Sequence, residues 1–130
     1  MEIFQFASRL RSHHGEAARR EVVLWHRDQI LAIKIPFQVP VGPGNIVERF
    51  VYAYALLGQD IILIDAGVKG SEALILDSIS QAGGDPDKIS LIIMTHSHPD
   101  HLGGALPLQE KTHCRVAAHG AEREWIEQVE

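Results

Sequence analysis

The sequence predicts an α/β fold, a mixed sheet flanked by helices. Three observations carry it: strand-like apolar runs come first, helical and strand patterns alternate after residue 65, and glycine or proline punctuates the joins. Glu21 to Pro36 reads as two strands. Val22-Val23-Leu24-Trp25 leads to a polar break at Arg27-Asp28-Gln29, and apolar character resumes from Ile30 to Ile35. Pro36, Pro40, Gly42, Pro43 and Gly44 predict an irregular loop. Phe50 to Leu57, rich in aromatic and apolar residues, predicts a strand. Gly58-Gln59-Asp60 then turns the chain into Ile61 to Ile64, which closes a hairpin. Ser71 is expected to cap a helix in which Ile75, Ile79 and Ala82 recur at helical spacing, with Gly83 and Gly84 ending it. Asp85-Pro86-Asp87 leads into Ile89 to Met94, whose nearly unbroken apolar character suits a strand buried on both faces. A helix from about Leu102 to Glu110, a short buried strand from Arg115 to Ala118 and a helix from Ala121 to Glu130 complete the expected order.

Composition narrows the function classes. The chain has 130 residues, 45% of them apolar and 22% charged, which describes a globular chain of about one domain. A net charge of −5 and the lack of a basic stripe interleaved with aromatics argue against a nucleic-acid partner. Glu2, Gln5, Arg9 and Arg11 interrupt the apolar residues at the amino end, so no signal-peptide pattern is expected, and no window has the apolar length of a membrane span. The single cysteine, Cys114, cannot form an internal disulfide, which fits a reducing compartment; the expected setting is the cytoplasm.

Eight histidines are present, and five of them fall between His96 and His119. His13 and His14 sit in a polar stretch that reads as solvated, and His26 reads as a strand residue. The informative segment is His96-Ser97-His98-Pro99-Asp100-His101. Imidazole nitrogen and carboxylate oxygen are ligands that zinc and similar divalent ions accept readily. The segment follows a predicted strand and precedes a predicted helix, at the carboxyl end of the strand, where open α/β sheets place their chemistry. In an extended stretch, residues two apart point the same way, so His96 and His98 can grip one ion. Pro99 is then expected to turn the chain so that Asp100 and His101 face a second position. Thr95 is expected to be a strand-end residue with a backbone hydrogen bond.

This segment resembles the His-x-His-x-Asp-His motif of the metallo-β-lactamase superfamily. Further ordered matches accompany it: Ile33-Lys34-Ile35-Pro36, the hairpin from Phe50 through Gly58 to Ile61-Leu63-Ile64-Asp65-Ala66-Gly67 with Ala66 where the family has threonine, and Leu102-Gly103-Gly104. The resemblance runs from about residue 30 to 125. It implies half of an αβ/βα sandwich, with residues 1–20 as an amino-terminal extension and 21–130 as a partial domain truncated at the carboxyl end. It implies a metal-dependent hydrolase using one or two zinc ions, with iron or manganese as alternatives, acting on an ester, thioester, lactone or related small molecule. His96 and His98 would serve the first metal position, and Asp100 and His101 the second. Asp100 would also orient the attacking hydroxide, and Asp65 would orient a ligand histidine through its other ring nitrogen. A turn residue beside Gly67 is an equal reading of Asp65.

The chain departs from the family pattern after the motif. Only 29 residues follow His101, they contain no aspartate, and the family's remaining ligands have no counterpart among them. His119, after a predicted strand parallel to the motif strand, is expected at the rim of the site. Cys114 reads as a small buried apolar residue and His113 as a loop residue. Half a sandwich would expose the sheet face meant for its other half, so either a missing carboxyl-terminal half or a homo-oligomer is expected to cover it. The alternative to the hydrolase is a half-domain that binds metal weakly or not at all and self-associates.

Overall fold

The computed structural model describes residues 29–128. The expected extension over 1–20 and the strand expected over 22–25 lie outside the described residues. Five strands form one sheet in sequence order: β1 (Ile30–Gly42), β2 (Asn45–Leu57), β3 (Ile61–Ile64), β4 (Ile89–Ile93) and β5 (Arg115–Ala117). The first three are antiparallel, and β3, β4 and β5 are parallel, so the sheet is mixed as expected. The change occurs where the tight turns give way to longer connections. A parallel pair needs a crossover, and α1 (Glu72–Gln81) supplies it between β3 and β4.

Register sorts the side chains by face. Ile35 pairs with Val51, Ile33 with Ala53 and Leu31 with Ala55; Ala55 also pairs with Leu63, and Leu63 with Ile92. Since side chains alternate across a strand, these all point to one face. There they form the core with Ile75 and Ile79 of α1 and Leu108 of α3 (Ala105–Thr112). Leu63 is fully buried in this layer. Leu63→Ala is expected to cost about 2–5 kcal/mol, the range for emptying a buried leucine site, read as a lowered urea midpoint with an unchanged slope.

The opposite face is open among the described residues. Phe50, Tyr54 and Ile93 remain 54%, 40% and 37% exposed. Lys34 Nζ lies 4.4 Å from the Phe50 ring centroid, and Tyr52 stacks on Tyr54. This face accounts for one difference from expectation. The run from Ile89 to Met94 was expected to be buried on both faces, yet only Ile89, Ile92 and Met94 are buried, while Leu91 and Ile93 point toward the open side.

Other elements also differ from the sequence reading. The loop expected from Pro36 to Gly44 is strand through Gly42, and Pro36 and Pro40 pair with Phe50 and Ile46. Both prolines fall on the same alternation of what is an edge strand among the described residues, so their missing N–H groups leave the ladder intact. Ser71 stands at the N-cap position of α1 but does not cap it with its side chain. Its backbone is helical, and its hydroxyl turns back to share its one proton between the carbonyls of Ala66 and Val68. Gly83, at φ +84°, ends α1 as expected, with the Gly84 N–H donating to Ile79 O. The single helix expected from Leu102 to Glu110 is two, α2 (Pro99–Leu102) and α3, broken at Gly103-Gly104. β5 is mostly exposed rather than buried, with only Val116 half-buried, because it forms the other edge of the described sheet. The last helix is shorter than expected, α4 (Arg123–Glu127), and Trp125 within it is exposed.

Candidate metal centre

Two turns build the site at the carboxyl edge of the parallel strands. β3 is followed by Asp65, whose backbone is left-handed at φ 61°, a conformation that aspartate tolerates better than most residues. Its N–H donates to Ile93 O, so the turn is tied to the end of β4. The next residue, Ala66, donates its N–H to His101 O. The end of β3 and the start of the α2 turn are thereby held together. Gly103 and Gly104 make the closeness possible. A Cβ on Gly103 would collide with the backbone of Val68 and Lys69, and one on Gly104 with the carbonyl of Ala66.

Asp65 is buried and its carboxylate accepts three hydrogen bonds. Oδ1 accepts from Thr95 N–H at 2.8 Å, and Oδ2 accepts from Thr95 Oγ1 at 2.7 Å. His101 Nδ1 lies 2.9 Å from the same Oδ2. The Thr95 hydroxyl also lies 2.8 Å from His96 Nδ1. Above this layer the imidazoles cluster, with the His96 ring centroid 4.2 Å from that of His101 and 4.6 Å from that of His98. Asp100 Oδ2 lies 3.9 Å from His101 Nε2. Pro99, at the first helical position, makes Asp100 and His101 part of a helical turn and leaves His96 and His98 on the extended segment before it.

The motif residues are thus gathered into one cluster, in which His96 packs as closely on His101 as on His98. Asp65, His96 and His101 each present a donor atom within 4.8 Å of the other two. The Asp65 carboxylate is buried and already bonded on both oxygens. The other donors fit a borderline divalent cation such as zinc. His101 is bonded through Nδ1, which leaves its Nε2 out of that bond, and an exposed His98 and a partly exposed Asp100 add side chains of the preferred ligand types.

One residue here does more than the sequence reading expects, and another was passed over by it. Thr95 bonds with its hydroxyl as well as its backbone. Glu122 follows β5, and its carboxylate accepts the N–H of Ser97, between the first two histidines, at 3.0 Å. Its carboxyl is held below the ordinary range, first by the Ser97 hydroxyl and then by the Ser97 N–H, with His96 and His98 adding to the effect. The parallel pairing of β4 and β5 was the available signal, since segments that follow parallel neighbours emerge at the same edge. His119 is exposed, and its Nδ1 accepts the N–H of Ala121, which commits that nitrogen to the turn; it is outside the group that converges. Cys114 is buried and free, and His113 ends α3 in a left-handed conformation.

Known proteins match the chain in sequence and in fold. A family model described as the metallo-beta-lactamase superfamily matches residues 46–130. Two Bacillus subtilis proteins are similar. The probable metallo-hydrolase YflN is 32% identical over 68 residues, 52% of this chain and 26% of its own. The probable metallo-hydrolase YybB is 28% identical over 95 residues, 72% of this chain and 37% of its own. The chain therefore spans well under half the length of these curated relatives. Among solved structures, BJP-1, a subclass B3 metallo-beta-lactamase of Bradyrhizobium japonicum, matches with a TM-score of 0.54 and 29% identity, over 57% of this chain and 28% of that one. A metallo-beta-lactamase of Cronobacter sakazakii matches with the same TM-score and 33% identity, over 57% and 29%. What these neighbours share with the chain is the fold class expected from the sequence, one part of a sandwich in which a mixed sheet is flanked by helices.

Proposed function

Because the chain belongs to the metallo-beta-lactamase superfamily, we propose that it carries the amino-terminal part of the catalytic centre of a metal-dependent hydrolase. The observation that supports this reading most strongly is the convergence of three imidazoles over a buried carboxylate that holds one of them through Nδ1. In this reading His96 and His98 hold a first ion, and Asp100 and His101 a second. The metal, when bound, supplies Lewis acidity and lowers the pKa of a water ligand toward neutrality. Zinc is the proposed ion, with iron and manganese compatible with the same donors.

The chain's own residues then have distinct tasks. Asp65 fixes the ring of His101 and keeps its Nε2 directed outward. Asp100, partly exposed beside His101 Nε2, is the acceptor that orients the attacking water. Glu122 steadies the loop between His96 and His98 by holding the Ser97 N–H. The proposed substrates of the whole protein are small esters, thioesters or lactones, and the relatives named as metallo-hydrolases support hydrolysis as the reaction class. The single buried cysteine is in keeping with a cytoplasmic setting, and no described helix is long and apolar enough to cross a membrane.

Elemental analysis after exhaustive dialysis tests the reading. About one or two zinc ions per chain are expected, and the double variant His96→Ala/His98→Ala should lose metal. A wild-type chain that retains none would contradict the proposal. A second reading has its own observation, the open face that carries Phe50, Tyr54 and Ile93. A second copy, or the rest of a longer chain, would cover it, and oligomeric mass recorded on the same sample separates these: a monodisperse monomer contradicts self-association.

A further inference from the structure

We propose that Asp65 sets the tautomers of two histidines at once, His101 directly and His96 through the hydroxyl of Thr95, which makes Thr95 a positioning residue of the centre. The inference rests on the reading that these histidines bind metal, but the geometry behind it stands apart from any ion. An ionised carboxylate only accepts hydrogen bonds, and a threonine hydroxyl has one proton to donate. Thr95 Oγ1 lies 2.7 Å from Asp65 Oδ2, so its proton is committed to the carboxylate. On its other side, Oγ1 can then only accept, and the group it meets at 2.8 Å is His96 Nδ1. That nitrogen must carry a proton, which leaves the Nε2 lone pair of His96 free. The same logic applies at 2.9 Å between Asp65 Oδ2 and His101 Nδ1. Both rings are therefore held as the Nδ1–H form and keyed to a single oxygen.

The arrangement resists rotation. The Thr95 N–H bond to Oδ1 fixes the other carboxylate oxygen, and the burial of Asp65 limits competition from water for either. A hydroxyl that merely finished the end of a strand would be satisfied by Asp65 alone; the second contact, to a motif histidine, is what a structural role leaves unexplained. An unconstrained neutral imidazole favours the opposite tautomer, with its proton on Nε2. Without the Thr95 hydroxyl, His96 would revert toward that form and would have to move a proton before its Nε2 could ligate.

The test reads the tautomer in metal-free protein. Long-range proton–nitrogen NMR spectra of the full chain, at a pH where imidazole is neutral, assign each ring as Nδ1–H or Nε2–H. Both His96 and His101 are expected as Nδ1–H. In Thr95→Val, His96 should shift toward Nε2–H while His101 stays unchanged, and zinc affinity should fall about 10–100-fold, the range for losing an outer partner of a metal ligand. Thr95→Ser, which keeps the hydroxyl, should restore both. A wild-type His96 found as Nε2–H overturns the proposal without any variant having to fold. So does a folded Thr95→Val chain with unchanged tautomer and unchanged zinc affinity. Failure of the wild type to bind zinc would instead contradict the metal reading, and the metal-free spectra would still decide the tautomer question.

Discussion

Gly104→Ala is expected to lower folding stability by about 3 kcal/mol, the upper part of the range for forcing an extra carbon into a filled site. The added Cβ would collide with the carbonyl of Ala66 and press on the Ser71 hydroxyl, 3.0 Å away. The carbonyl cannot yield easily. Ala66 is fully buried, its carbonyl accepts the Ser71 hydroxyl, and its N–H is bonded to His101 O. Relief therefore means separating the Asp65-Ala66-Gly67 turn from the α2 turn, the contact that brings Asp65 to His101. Stability and zinc affinity should fall together. Gly120→Ala is the control, since nothing lies within 4 Å of its added Cβ and its φ is not in the left-handed region; a change within about 0.5 kcal/mol is expected there. Urea denaturation of the two variants checks the contrast, and equal midpoints would refute it.

Asp65→Asn is expected to reduce zinc affinity by about 10–100-fold while keeping the side chain's shape. The carboxylate accepts from three donors: the Thr95 N–H, the Thr95 hydroxyl and His101 Nδ1. An asparagine offers one accepting oxygen and one donating nitrogen. Whichever way the amide turns, its NH2 group faces at least one group that now donates, so His101 or Thr95 must rotate or give up its bond. The cost to stability should be about 1–3 kcal/mol, the penalty for a buried polar group left without its partner. Competition titration with a chromophoric chelator measures the affinity. Wild-type affinity in Asp65→Asn would show that this carboxylate does not orient the histidines.

The sequence was most readable where the information is local. The motif spans six residues, so its ligand chemistry and its place after a strand could be seen directly. The hairpin turn at Gly58-Gln59-Asp60 and the Gly83 helix end are equally local signals. Elements that depend on what packs nearby were read less well. Pro36 and Pro40 looked like loop residues, because a proline marks a break unless it lies at a sheet edge, and edges are a property of the whole sheet. Gly103-Gly104 looked compatible with a continuous helix, because nothing nearby in sequence reveals that the turn after Asp65 packs flush against them. The site itself divides in the same way. Asp65 and Thr95 are thirty residues apart, and Ser97 and Glu122 twenty-five, so their hydrogen bonds follow from strand order and not from any motif. Asp65 came into view only through resemblance, and Glu122 through neither route.

Zinc K-edge X-ray absorption of the metal-loaded chain tests the central claim most directly, because it reports the ligands rather than their consequences. The account predicts a nitrogen and oxygen shell at about 2.0–2.1 Å with the outer-shell scattering characteristic of imidazole, and that scattering should diminish in His96→Ala and again in His96→Ala/His101→Ala. A spectrum without imidazole scattering, or one that both variants leave unchanged, would contradict the assignment of these histidines as the metal centre.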